Sequence, residues 1–176
     1  MSEQLVIDLP DSGEQLERQA FDVLLPLLAD VFEETNTRSD FLKFEPLKDC
    51  SSVYFLKSGC LICKIRMRKK FWYVTIPSGY AAHLPAGAKV SILSSDSGAA
   101  KISISAPGDV AVCRDAVCEI LRDKIHTFRT FDCCGRFEAC SDAGHCVHPD
   151  PEEALGCSYK RNLSKGRIFY GKNKNI

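Results

Sequence analysis

The chain has 176 residues, 45% of them hydrophobic and 26% charged, which is enough apolar material for one globular core with a small module beside it. Its 23 basic and 23 acidic residues cancel, so total charge gives no nucleic-acid signal. No run of about 18 apolar residues occurs, and the start MSEQLVIDLPD is acidic where an export signal is basic and then apolar; the expectation is a soluble cytoplasmic protein with no membrane partner.

Ser12 followed by Gln15 has the capping-box pattern, and Leu16, Ala20, Val23, Leu24, Leu27, Leu28, Val31 and Phe32 then recur at helical spacing. This is an acidic amphipathic helix in which Pro26 predicts either a kink or the meeting of two short helices. From Ser52 the period becomes two, in SVYFL, GCLICKIRMR and KFWYVTIP, with Ser58–Gly59 and Lys69–Lys70 at turn positions. A further strand pair, AKVSIL and AAKISIS, flanks a stretch rich in serine, aspartate and glycine. Pro107, Gly108 and Asp109 open a second helix whose buried stripe is Cys113, Val117, Ile120 and Leu121. The expected fold is α+β: an antiparallel sheet of about five strands with two flanking helices on one face, occupying residues 1–126 and able to fold alone. Residues 127–176 then form a loop-rich, cysteine-based module packed against that body.

Ten cysteines with no export signal point to a reducing compartment, where clustered thiolates bind metal or do redox chemistry. Cys50, Cys60, Cys63, Cys113 and Cys118 are dispersed, whereas Cys133, Cys134, Cys140, Cys146 and Cys157 fall within 25 residues. Four thiolates, Cys134, Cys140, Cys146 and Cys157, suit either tetrahedral zinc or a 4Fe-4S iron–sulfur cluster. Cys133, His145 and His148 are substitutes for one of them. Zinc ribbons present close CxxC pairs to a single ion; this segment has none, and its five-residue spacers are long enough to wrap a bulkier cluster, so iron–sulfur is favoured over Zn2+. The plain alternative, cysteines as small buried hydrophobes, suits poorly a segment built of Gly135, Asp142, Gly144, Pro149, Asp150, Pro151 and Gly156.

The stretch FDCCGRFEACSDAGHCVHPDPEEALGCSYKRNLSKGRIFYGKN, through its CC, CSDA, CxHPD and GCxYxxNLxxGRxFYG portions, resembles a cysteine-rich C-terminal segment of uncharacterised proteins from Firmicutes and their phages or mobile elements. The resemblance covers about 45 of the 176 residues and implies a metal-binding tail and a mobile-element setting, without a characterised activity.

Charge is distributed unevenly. Residues 1–40 hold ten acids against Arg18 and Arg38, leaving 21 basic and 13 acidic residues beyond them. Lys64, Arg66 and Arg68 alternate on one face of a strand, next to Lys69, Lys70, Trp72 and Tyr73, and Lys160, Arg161, Lys165 and Arg167 follow the last acid, Glu153. A basic sheet face with aromatics and a basic tail suits DNA or RNA, although an ordinary solvated face has the same pattern. The acidic first helix supports a second reading, an inhibitor or adaptor bound to a host protein, and an exposed iron–sulfur cluster a third, a redox sensor. Cys60 and Cys63 have CxxC spacing, but within a strand i and i+3 face opposite sides, which argues against shared redox or metal chemistry. No phosphate-binding loop, HExxH or nucleophile elbow occurs, so no catalytic residue is assigned and a non-enzymatic role is expected.

Overall fold

The computed structural model describes residues 12–56, 59–92, 98–129, 136–143, 145, 147–149 and 157. The first helix divides at its proline: α1 spans Ser12–Leu27 and α2 spans Ala29–Glu34, with Leu28 between them. Pro26 has no amide hydrogen and its ring crowds the preceding turn. The next turn is tightened by a bond from the Leu28 amide to the Leu25 carbonyl, 3.2 Å. Leu24, Leu28 and Val31 nevertheless stay on one fully buried line, so the break turns the axis without exposing the apolar stripe.

Six strands follow, β1 (Leu42–Pro46), β2 (Ser51–Phe55), β3 (Leu61–Arg66), β4 (Trp72–Pro77), β5 (Val90–Ile92) and β6 (Ala99–Ile104). They form one antiparallel sheet in the order β1-β2-β3-β4-β6-β5. Helix α3, Arg114–Thr127, enters through a 3-10 helix over Pro107–Cys113. Its residues Val117, Ile120 and Leu121 join Ala20 and Leu24 of α1 and the inward strand positions Val53, Phe55, Ile65, Val74, Ile76, Ala100 and Ile102 in one buried cluster. Each such large side chain contributes about 1.5–3 kcal/mol on burial. Both long helices thus lie on one face of the sheet, as the α+β pattern requires.

Two departures from the alternating sequence pattern matter for function. Strand β1, LKFEP, is an edge strand beyond the five expected: Leu42 and Phe44 face inward opposite Phe55 and Val53. Second, β3 carries a bulge. Val53 pairs with Cys63 but Tyr54 pairs with Leu61, so Ile62 is an inserted residue, and the alternation reverses across it. Leu61 therefore lies on the outer face, half-buried, rather than with Cys63, Ile65 and Met67. The Phe55 amide continues the ladder to the Cys60 carbonyl at 2.9 Å, which places Cys60 on the inward face with Cys63; both are buried. The parity argument that separated these two thiols fails because it assumed a regular strand.

A buried charge fixes α1 to the sheet. Glu17, fully buried, accepts hydrogen bonds from Ser51 Oγ (2.6 Å), the Met67 amide (2.9 Å) and Arg68 Nε (3.1 Å). The core runs past residue 126: Phe128 is fully buried and meets Phe55 edge-on, with ring centroids 6.0 Å apart.

Candidate functional site

The cysteine-rich segment, expected to be loop-rich, contains a short helix, α4 (Phe137–Ala143). Cys140 lies on it and is 4% exposed, its amide bonded to the Arg136 carbonyl at 3.0 Å and its sulfur accepting the Val147 amide at 3.4 Å. Cys157 is half-buried and packs, like Val147, on the main core. Two ion pairs hold α4 to the body: Arg129 to Glu138 at 3.1 Å and Arg38 to Asp142 at 2.5 Å. Arg129 also caps the end of α2, donating to the carbonyls of Thr35 (2.7 Å) and Asn36 (3.3 Å). Of the substitutes, His145 is exposed, with Nδ1 2.9 Å from the Ala143 carbonyl oxygen, and His148 is half-buried. Cys133, Cys134 and Cys146 lie outside the described residues, and among those described no three histidine, cysteine or acidic side chains are grouped to hold a metal ion. Sulfurs sharing one zinc each sit about 2.3 Å from it, whereas a cubane takes one cysteine on each iron and spreads its ligands more widely.

The outer face of the sheet is a second candidate. Strand register aligns Glu45, Ser52, Lys64, Thr75, Lys101 and Ser91 in a single row across all six strands. The next row places Arg66, Tyr73 and Ser103 side by side. Arg66 Nη1 donates to the Tyr73 hydroxyl at 2.6 Å, and this bond raises the guanidinium pKa above its ordinary value; its Nε is buried without a partner. Lys101 Nζ stands 3.9 Å over the Tyr73 ring. Neighbouring strands are about 4.8 Å apart, so the backbones at Lys64 and Lys101 lie roughly 10 Å from each other with Thr75 between. A shallow depression of about 370 Å³, lined by Lys64, Thr75, Pro77 and Ala99, opens beside them.

No known family, curated protein or solved structure matches this chain. The site therefore has to be read from its own residues.

The strand cations divide by role. Lys64 is exposed and Arg66 half-buried on the outer face. Arg68 turns the other way: its guanidinium contacts Glu17 at 3.0 Å and Glu14 at 3.7 Å and donates to the Leu47 and Lys48 carbonyls, leaving its side chain 11% exposed. Lys69 pairs with Asp49 at 3.1 Å, and Lys70 extends beside the exposed ring of Phe71, 5.7 Å away. Lys160, Arg161, Lys165 and Arg167 lie outside the described residues. Lys101 and Tyr73 complete the patch; Lys101 is not legible in the sequence because its partners Tyr73 and Thr75 lie on β4, far away in sequence, and only the register reveals them. Of the acids of the first helices, Glu17 is buried and Glu14 half-buried against Arg68, whereas Asp30 pairs with Arg114 (2.9 Å) and Glu34 with Arg122 (3.0 Å) at the exposed surface. Asp22 and Glu33 are the acids of α1 and α2 outside such pairs, among the described residues. In the core, burial pushes the Cys63 thiol pKa far up, the neighbouring Cys113 adding to it, and pushes Cys113 up to about 12; neither has the low-pKa thiolate of a redox pair.

Proposed function

We propose that this chain is a non-enzymatic, cytoplasmic nucleic-acid-associated protein of a phage or mobile element, and that a four-cysteine centre, iron–sulfur before zinc, orders its C-terminal segment. The observation that carries the nucleic-acid reading is the outer sheet face, where Lys64, Arg66 and Lys101 from β3 and β6 surround Tyr73 and Thr75 of β4. Cations spaced across three strands match a polyanionic backbone, and the tyrosine gives an aromatic surface beside them. The host-protein reading keeps the exposed acids Asp22, Asp30, Glu33 and Glu34 of the first helices but loses Glu17, which is buried against Arg68. The phage or mobile-element setting rests on the resemblance of the cysteine-rich segment, and the centre rests on its thiol spacing and on Cys140 and Cys157 at the body's edge.

Anisotropy titrations of labelled single- and double-stranded DNA and RNA at 50 and 200 mM salt test the reading. Affinity is expected to fall steeply between the two salts, and replacement of Lys64 and Lys101 by alanine to lower the slope of log K against log salt by about two, one for each phosphate contact removed. No binding of any of the four probes at 50 mM salt overturns it.

A further inference from the structure

Strand β4 runs down the outer face between β3 and β6, and its outward positions are Tyr73, Thr75 and Pro77. Alternate strand residues stand about 6.7 Å apart, so Tyr73 and Pro77 are separated by about 13 Å with Thr75 midway. Thr75 is flanked by Lys64 on β3 and Lys101 on β6. Neither lysine is in an ion pair among the described residues: Lys64 is exposed, and the Lys101 ammonium lies over the Tyr73 ring. Glu45, at the β1 end of the same row, is two strands from Lys64 and bounds the basic patch on that side. Beyond this row the bulge at Ile62 changes the surface. A regular β3 would have taken Leu61 inside with Cys63; instead Leu61 faces outward. Leu61, Pro77 and Ala99, all half-buried, form the apolar part of the depression of about 370 Å³ that Lys64 and Thr75 border. Gly98 lines it as well, at φ 120° and with open space where a Cβ would stand. Its size is that of a small-ligand site, about 300–1,000 Å³, and it is open on one side, which suits a flat group laid against an apolar wall.

We propose that the outer face takes single-stranded nucleic acid, with the sugar–phosphate chain over the Lys64–Thr75–Lys101 row and an unstacked base seated in the depression against Leu61, Pro77 and Ala99. The inference rests on the nucleic-acid reading above and adds to it the strand state of the ligand and a seat for a base. A cationic row alone serves either state, because single strands and duplexes carry the same phosphates. The apolar seat decides between them. In a duplex the bases are stacked about 3.4 Å apart and turned towards the helix axis, so none can reach a wall beside the phosphates; in a single strand they can be splayed out and laid on the protein. Reading a duplex through its grooves takes a helix or ribbon that enters one, and among the described residues both long helices lie on the opposite face of the sheet. Tyr73, its hydroxyl held by Arg66, lies across the cationic row from the depression, so the two bases flanking a bound phosphate each have a surface.

Full-length protein is titrated at 50 mM salt, by anisotropy, with three labelled probes of one length, in DNA and in RNA form: a mixed-sequence single strand, its duplex, and the same single strand without its bases. The intact single strand is expected to bind about fivefold or more tighter than both the duplex and the base-free strand, the effect of one seated base. The base-free strand keeps every phosphate, so this comparison separates the seat from the cations and needs no variant. Ala99→Met then fills the depression without changing charge. It is expected to weaken the intact single strand about fivefold while keeping the slope of log K against log salt, unlike replacement of Lys64 and Lys101. A duplex or a base-free strand bound as tightly as the intact single strand, or an Ala99→Met protein with wild-type affinity for that strand, overturns the assignment and leaves the phosphate contacts of the outer face standing. No binding of any probe overturns the nucleic-acid reading and this assignment with it.

Discussion

Glu17 shows how one residue sets the architecture around it. A fully buried carboxylate is costly unless every oxygen is satisfied, and here a hydroxyl, a backbone amide and a guanidinium satisfy it from two different strand ends. Its replacement by alanine leaves Arg68 without its buried counter-charge and is expected to cost about 3–5 kcal/mol in urea unfolding, whereas Lys64→Ala on the exposed face should stay within about 0.5 kcal/mol. Equal effects of the two changes would show that the clamp is not what holds α1. The buried thiols give a second test at this scale. An unfolded cysteine ionises near pH 9, while burial keeps Cys113 protonated up to about 12 and Cys63 beyond it. Between those values the folded chain holds protons that the unfolded chain has released, so stability falls as pH rises from about 9 to 12. Urea midpoints at pH 8, 9.5 and 11 should decrease in order, with a shallower decrease for Cys113→Ala; a constant midpoint would contradict the burial.

At the scale of elements, α1 approaches the chain just beyond β3 so closely at Gly13 that a Cβ there would meet the Arg68 Cα at 2.6 Å. Backbone cannot move aside as a flexible side chain does, so Gly13→Ala should force α1 away from the sheet and destabilise by about 1–3 kcal/mol, although alanine is the better helix former; an unchanged or higher melting temperature would refute the close approach. The same elements show which parts of the fold are legible in the sequence. The long helices and the strands around SVYFL, KFWYVTIP and AAKISIS carry enough consecutive positions for their period to be read. Strand β1 does not: five residues, with Leu42 and Phe44 as its inward pair and a proline at its end, are too few to establish a period, and it is completed only by pairing with β2. The bulge is hidden for a related reason. Leu61, Ile62 and Cys63 are all apolar, so GCLICKIR looks the same whether or not a residue is inserted, and the partner strand alone decides which thiols share a face. Lys101 and Tyr73 are likewise ordinary strand residues until register puts them beside Arg66.

At the scale of the whole molecule, the question is whether the cysteine-rich segment is an appendage or part of the body. The sequence places a boundary near residue 126 because helical periodicity ends there. Phe128, two residues beyond it, is fully buried against Phe55, and through Phe55 touches the Phe41 loop that Arg38 and Arg129 connect to α4. A chain ending at residue 126 loses that ring and leaves a cavity against the β2 end of the sheet. By the cost of removing a buried phenylalanine it should be about 3–5 kcal/mol less stable than a chain ending at residue 129, which retains Phe128 and the Arg129 cap on α2. Since the whole stability of a domain is about 5–15 kcal/mol, this difference decides between a cooperatively folded fragment and a largely unfolded one. Urea unfolding followed by far-ultraviolet circular dichroism measures it directly. Two fragments of equal stability would mean that Phe128 completes the tail and not the core, and that the segment is fastened to the body by its ion pairs and by whatever its thiols bind.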